Sequence, residues 1–189
     1  MGPGPGDGGG LLATGLVRSG PAPFWPVTSS TPDMHPRARE FATAAEREHH
    51  LAIDVREFED GTKTAADAAE AIGCDVAQIA SSLVFQADGD PVVVVTSGAN
   101  RVDEDRLADA VGAASVDMAD PEVVREATGY SIGGVPPFCH DRDLPVYVDE
   151  TLLSFEAVWA AAGTPEAVFA IAPAALVEHS DGTPIRVSD

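Results

Sequence analysis

The residues best suited to chemistry lie in one run, Thr128-Gly129-Tyr130-Ser131-Ile132-Gly133-Gly134-Val135-Pro136-Pro137. Adjacent glycines can leave the ordinary backbone regions and present amide N–H groups with no side chain in the way. Donors held like this stabilise the negative oxygen of a tetrahedral acyl intermediate, so Gly133 and Gly134 are candidate oxyanion donors for an ester hydrolysis. Pro136 and Pro137 stiffen the exit of such a loop. The competing reading of Gly133-Gly134 alone is a tight turn without a ligand. Ser81 and Ser82 add two hydroxyls at the head of an apolar stretch, and Phe58 adds an aromatic ring.

The remaining nucleophiles and imidazoles are less well placed. Cys139 and His140 are neighbours, and in an extended segment neighbours point to opposite faces, so they read as one packed thiol and one exposed imidazole. His49-His50 falls at a helix end, where imidazole complements the dipole. Cys74 and Cys139 have no CxxC spacing, and no ligand set of matched spacing is present. Neither a metal nor a cofactor is expected, and the two thiols read as free in a reducing compartment.

These residues must be positioned by alternating helices and strands. Pro36 to His50 reads as a helix with Ala38, Phe41, Ala42 and Ala45 on one face. Leu51 to Phe58 alternates as a strand. Thr64 to Ile72 is a helix stopped by Gly73, and Asp75 caps a short turn through Ile79. Ser82 to Gln86 and Pro91 to Ser97 form a hairpin around Asp88-Gly89-Asp90. Asp103 to Val111 and Pro121 to Ala127 read as helices, and Pro145 to Asp149 as a strand. A second hairpin pairs Ala157–Ala161 with Ala167–Ile171 around Gly163-Thr164-Pro165, and Pro173 to Glu178 is a helix. The fold class is α/β, or α+β, with a mixed sheet.

Two domain segments are expected. Fourteen of residues 1–33 are Gly or Pro, which reads either as a disordered tail or as a mis-annotated extension with Met34 as the true start. Residues 34–189 form the folded domain.

Charge narrows the partners. Thirty-one acidic residues face eleven basic ones, for a net charge of −20, and Lys63 is the only lysine. Carboxylate excess with lysine depletion fits a halophilic cytoplasm; an acidic surface made for solubility is the alternative. Nucleic-acid binders neutralise phosphates with clustered Lys and Arg, so an extended nucleic-acid surface is excluded. The longest apolar runs are strand-sized, and no membrane association is expected.

The order of motifs resembles the YbaK/EbsC family, the synthetase-associated editing domain. The resemblance rests on Thr64 to Gly73, Gln78 to Phe85, Val116 to Pro121, Thr128 to Pro137 and Leu144 to Asp149. It implies a mixed, barrel-like sheet flanked by helices, as in the prolyl-tRNA synthetase-associated domain. It further implies trans-acting hydrolysis of mischarged aminoacyl-tRNA, with the 3′ end of the tRNA as substrate and an aminoacyl-tRNA synthetase as a second partner. On this resemblance Gly133 and Gly134 are catalytic, while Phe58, Ser81, Ser82, Tyr130, Ser131 and Pro136 bind substrate. Members that edit cysteinyl-tRNA carry a lysine at the position of Ser81, often a tyrosine at Phe58, an acid at Val168 and a small hydroxyl residue at Ala161. Ser81 and Ser82 would then bind by hydroxyl contacts alone, or Lys63 would supply the charge. The same departures also fit a non-catalytic module that binds a synthetase or an aminoacyl-nucleotide.

Overall fold

A computed structural model describes residues 34–58 and 64–188. The segment 1–33 and Lys63 lie outside the described residues. Among the described residues, five α-helices flank one eight-stranded mixed sheet: α1 Pro36–His49, β1 Arg56–Glu57, α2 Ala65–Ile72, β2 Ile79–Ala87, β3 Asp90–Ser97, α3 Glu104–Val111, β4 Val116–Met118, α4 Pro121–Thr128, β5 Val146–Asp149, β6 Val158–Ala161, β7 Ala167–Ile171, α5 Pro173–Ser180 and β8 Thr183–Ile185. The strand order is β1-β7-β6-β2-β3-β5-β8, with β4 pairing β2 beside this path.

Two antiparallel hairpins make the centre. In β2–β3 the turn residues Asp88 and Gly89 both have positive φ, 50° and 92°, as the two-residue hairpin turn requires. The second hairpin, β6–β7, lies beside the first because β6 runs parallel to β2, pairing Ile79 with Trp159 and Ala80 with Ala160. Gln78 anchors that junction: its amide donates to Ala157 O at 3.1 Å, while its side-chain oxygen accepts from Asp75 N.

The apolar run of β3 is continuous because both faces of the sheet are covered. Val93 and Val95 join a core with Phe41 of α1, Val124 of α4 and Leu176 of α5. Val92 and Val94 face the other way, against Phe85 and Leu107 of α3. Phe41, Phe138 and Phe169 form a ring cluster with centroids 5.3–6.1 Å apart beneath α1. Each buried ring contributes about 1.5–3 kcal/mol by area.

Two local expectations need correction. Only Arg56–Glu57 of the segment from Leu51 to Phe58 joins the sheet, as an edge against β7. Its alternation reflects burial, since Leu51, Ile53 and Val55 pack on the core without ladder bonds. Cys139 is not extended but left-handed, with φ 65°. His140 is correspondingly not an exposed imidazole: it is half-buried, with Nε2–H donating to Pro136 O at 2.7 Å.

Candidate functional site

A cavity of 510 Å³ opens between the two hairpins. Its floor is the first half of β2, including Ser81 and Ser82. Its walls are Trp159, Ala160 and Ala161 of β6, Val168 of β7, and the α2 residues Ala65 and Ala68. A capping box holds α2 here, with Thr64 Oγ1 accepting from Asp67 N at 3.0 Å and Asp67 Oδ2 from Thr64 N at 3.2 Å. Ile132 and Gly133 close one side. Behind them lies an apolar annexe of 50 Å³, which shares Ser82, Leu83, Ile132 and Gly133 with the main cavity and is backed by Ala119, Val124 and Val135.

The glycine pair divides its labour. Ser131 to Gly134 is a type II β-turn: Gly134 N donates to Ser131 O at 2.9 Å, and Gly133 has φ 90°. The Gly134 amide is thus spent inside the turn. Gly134 is also needed for packing, because a Cβ there would stand 2.7 Å from Thr164 Cα in the β6–β7 turn. Gly133 lines the cavity, and its amide takes no hydrogen bond among the described residues.

Ser82 is the unusual polar group. It is 7% exposed, and its Oγ has no hydrogen-bond partner among the described residues. An unsatisfied buried hydroxyl costs about 1–3 kcal/mol, so its presence needs an explanation. Ser81, its half-buried neighbour, lines the same cavity.

Other sequence candidates sit elsewhere. Tyr130 is buried in the core, with Arg37 stacked 4.6 Å from its ring, and burial pushes its hydroxyl up to about 12. Ser131 is exposed on the turn, and Pro136 is buried behind it, bonded to His140. Phe58 lines an adjoining surface hollow, which shares Pro165 and Glu166 with the cavity. Two residues not singled out from sequence do reach the cavity. Trp159 forms part of its wall, with the Arg56 guanidinium 5.3 Å from its ring centroid. Glu166 is the one ionisable side chain among the described lining residues.

Residues 59–179 match the aminoacyl-tRNA editing domain family. The chain belongs to that family. Within it the sequence is similar to the uncharacterised protein YwhH of Bacillus subtilis, 38% identical over 128 residues that cover 67% of this chain and 81% of that one. It is 29% identical over 120 residues to an Enterococcus faecalis protein provisionally assigned as a Cys-tRNA(Pro)/Cys-tRNA(Cys) deacylase, covering 63% and 73% of the two chains. Among solved structures, a protein provisionally assigned as a trans-editing enzyme for prolyl-tRNA synthetase superposes with TM-score 0.79 at 39% identity, over 83% of this chain and 99% of that one. Ser81 lies at the cavity floor, and Val168 and Glu166 lie in its wall.

Proposed function

We propose that the protein is a trans-acting deacylase of mischarged aminoacyl-tRNA, taking the aminoacylated terminal adenosine into the 510 Å³ cavity. The observation that carries this reading is Ser82, a buried hydroxyl without a partner in a residue that lines the same cavity as Gly133, whose amide is uncommitted among the described residues. In this mechanism a water oxygen attacks the ester carbonyl carbon, and Gly133 N–H and Ser82 Oγ–H donate to the oxygen that becomes negative. Glu166 takes the water proton and returns it to the ribose oxygen as the carbon–oxygen ester bond breaks. Ser81 contacts the ribose, and Arg56, held on Trp159, meets the terminal phosphate in place of the missing lysine. The annexe accepts a small amino-acid side chain and rejects bulky ones.

The test uses the full chain in molar KCl with a panel of mischarged tRNAs. Deacylation above background, lost in Gly133→Val, supports the enzyme. Turnover unaffected by that substitution removes the oxyanion role. A second reading, a non-catalytic module for a synthetase or aminoacyl-nucleotide, is favoured by Ser81 standing where a lysine is usual. It predicts ligand binding with no turnover.

The working compartment in this proposal is a salt-rich cytoplasm. The net charge of −20 supports it. Its test is a melting temperature that rises steeply with KCl; a salt-indifferent melt removes the halophilic part.

A further inference from the structure

α1 and α5 end at the same place, each with a histidine in its last turn, His49 and His179. Their rings stand edge-on, with centroids 5.1 Å apart. The segment after Pro137 packs against both ends: Phe138 lies 5.1 Å from the His49 ring and 5.9 Å from that of His179. Next in the chain is Cys139, whose left-handed backbone is uncommon for a residue with a side chain. One carboxylate oxygen of Glu48, one ring nitrogen of His49 and Sγ of Cys139 all lie within 4.8 Å of one another. None of the three lines the cavity between the hairpins.

We propose that Glu48, His49 and Cys139 form a zinc site separate from the editing cavity. The donor set selects the metal: thiolate, imidazole and carboxylate suit zinc, whereas magnesium and calcium want oxygen alone. Tetrahedral zinc with bonds of 2.0–2.3 Å needs donors about 3.3–3.8 Å apart. Glu48 is exposed, so rotation of its side chain closes the remaining distance, and water fills the fourth position. The carbonyl ends of α1 and α5 place partial negative charge around a bound cation. Edge contact with Phe138 and His179 fixes the plane of the His49 ring before metal arrives. On binding, the Cys139 thiol proton leaves to solvent and a zinc–sulfur bond replaces it.

The consequence is mechanical. The metal ties the end of α1 to the residue two positions past Pro137, where the chain leaves the Gly133 turn. Sequence spacing could not show this, because Glu48-His49 and Cys139 are about ninety residues apart.

The experiment uses the untagged full chain after chelation, titrated with zinc and, separately, with cobalt(II). One equivalent of zinc binds and raises the melting temperature. Cobalt gives a thiolate-to-metal charge-transfer band with strong tetrahedral d–d absorption. Cys139→Ser abolishes that band, and both it and His49→Gln weaken zinc binding at least tenfold, roughly the loss seen when a ligand is removed. Cys74→Ser changes neither. Should Cys139→Ser fail to fold, alkylation of the unaltered chain decides: zinc protects Cys139 and leaves Cys74 reactive. Absence of saturable binding, a cobalt spectrum without the charge-transfer band, or equal protection of both cysteines overturns the site.

Discussion

Two buried polar groups flank the central hairpin, and their surroundings are opposite. Asp149, at the end of β5 and 1% exposed, is saturated. Its Oδ2 accepts from Ser97 N at 3.0 Å, Asn100 Nδ2 at 2.9 Å and Thr96 Oγ1 at 3.3 Å, and its Oδ1 from Thr151 N at 2.9 Å. Ser82, on β2, has a buried Oγ with no partner among the described residues, and it is one of the residues that line the cavity. Burial alone therefore does not separate scaffold from site. The closed network locks β3 to the chain leaving β5. The other group is left open, a hydroxyl without a bond among the described residues.

The largest effect should come from breaking the closed side. Asp149→Ala strips two backbone amides of their acceptor and leaves Thr96 Oγ1 and Asn100 Nδ2 with one acceptor each, and should cost about 3–5 kcal/mol of stability. Urea unfolding measures it. A loss below about 1 kcal/mol would mean that water substitutes for the carboxylate and that the two regions differ less than their bonds suggest.

The open side should respond in the reverse sense. Ser82→Ala removes a buried hydroxyl that has no partner, so stability stays level or rises by up to about 1 kcal/mol. Deacylation should meanwhile fall by about 10- to 100-fold, in kcat rather than KM, because the lost bond forms to the developing oxyanion. Steady-state kinetics beside a urea melt reads both quantities. A variant destabilised but fully active would place Ser82 with Asp149, as scaffold.

Legibility from sequence follows the same division between local and distant. The helix ends were readable because each is a local device: Thr64 and Asp67 cap α2, and Gly73 ends it at φ 89°. The Asp88-Gly89 turn likewise marks its hairpin within four residues. Strand β8 was not readable, since three residues including Pro184 have no periodicity and exist only because β5 offers an edge. Gly133 and the Ser81-Ser82 pair, distant in the chain, line one cavity, whereas Tyr130 and Pro136 are buried behind the turn. Glu166 sits in the turn that enters β7, and only the fold brings that turn to the cavity. Trp159 enters the cavity wall because β6 pairs with the start of β2, a contact spanning eighty residues.

The rim of the open side should show a smaller effect. Arg56 pairs with Val168 across the β1–β7 ladder and stacks over Trp159, so its charge stands on the cavity face of the sheet. Arg56→Gln should raise KM about fivefold with kcat unchanged, and should reduce the salt dependence of tRNA binding by about one phosphate contact. A change confined to kcat would move Arg56 from binding to chemistry.

The smallest effect lies between the extremes, at an imidazole with one bond. His140 donates to Pro136 O, and burial holds its pKa below the ordinary 6.5; burial and the like charge of His179 do the same for His49. A base with a lowered folded pKa binds its proton more readily in the unfolded chain, so stability rises with pH there. The contribution of these groups is complete above pH 6.5 and is lost as pH falls below it. Urea unfolding in chelator, from pH 7.5 down to the carboxylate range, should therefore show a decline that His140→Asn makes shallower and that His49 keeps from vanishing. Because Pro136 follows the Gly133 turn, deacylation should decline in the same window before global unfolding is populated. An identical slope in both proteins would remove His140 from the account and leave the Gly133 turn supported by packing alone.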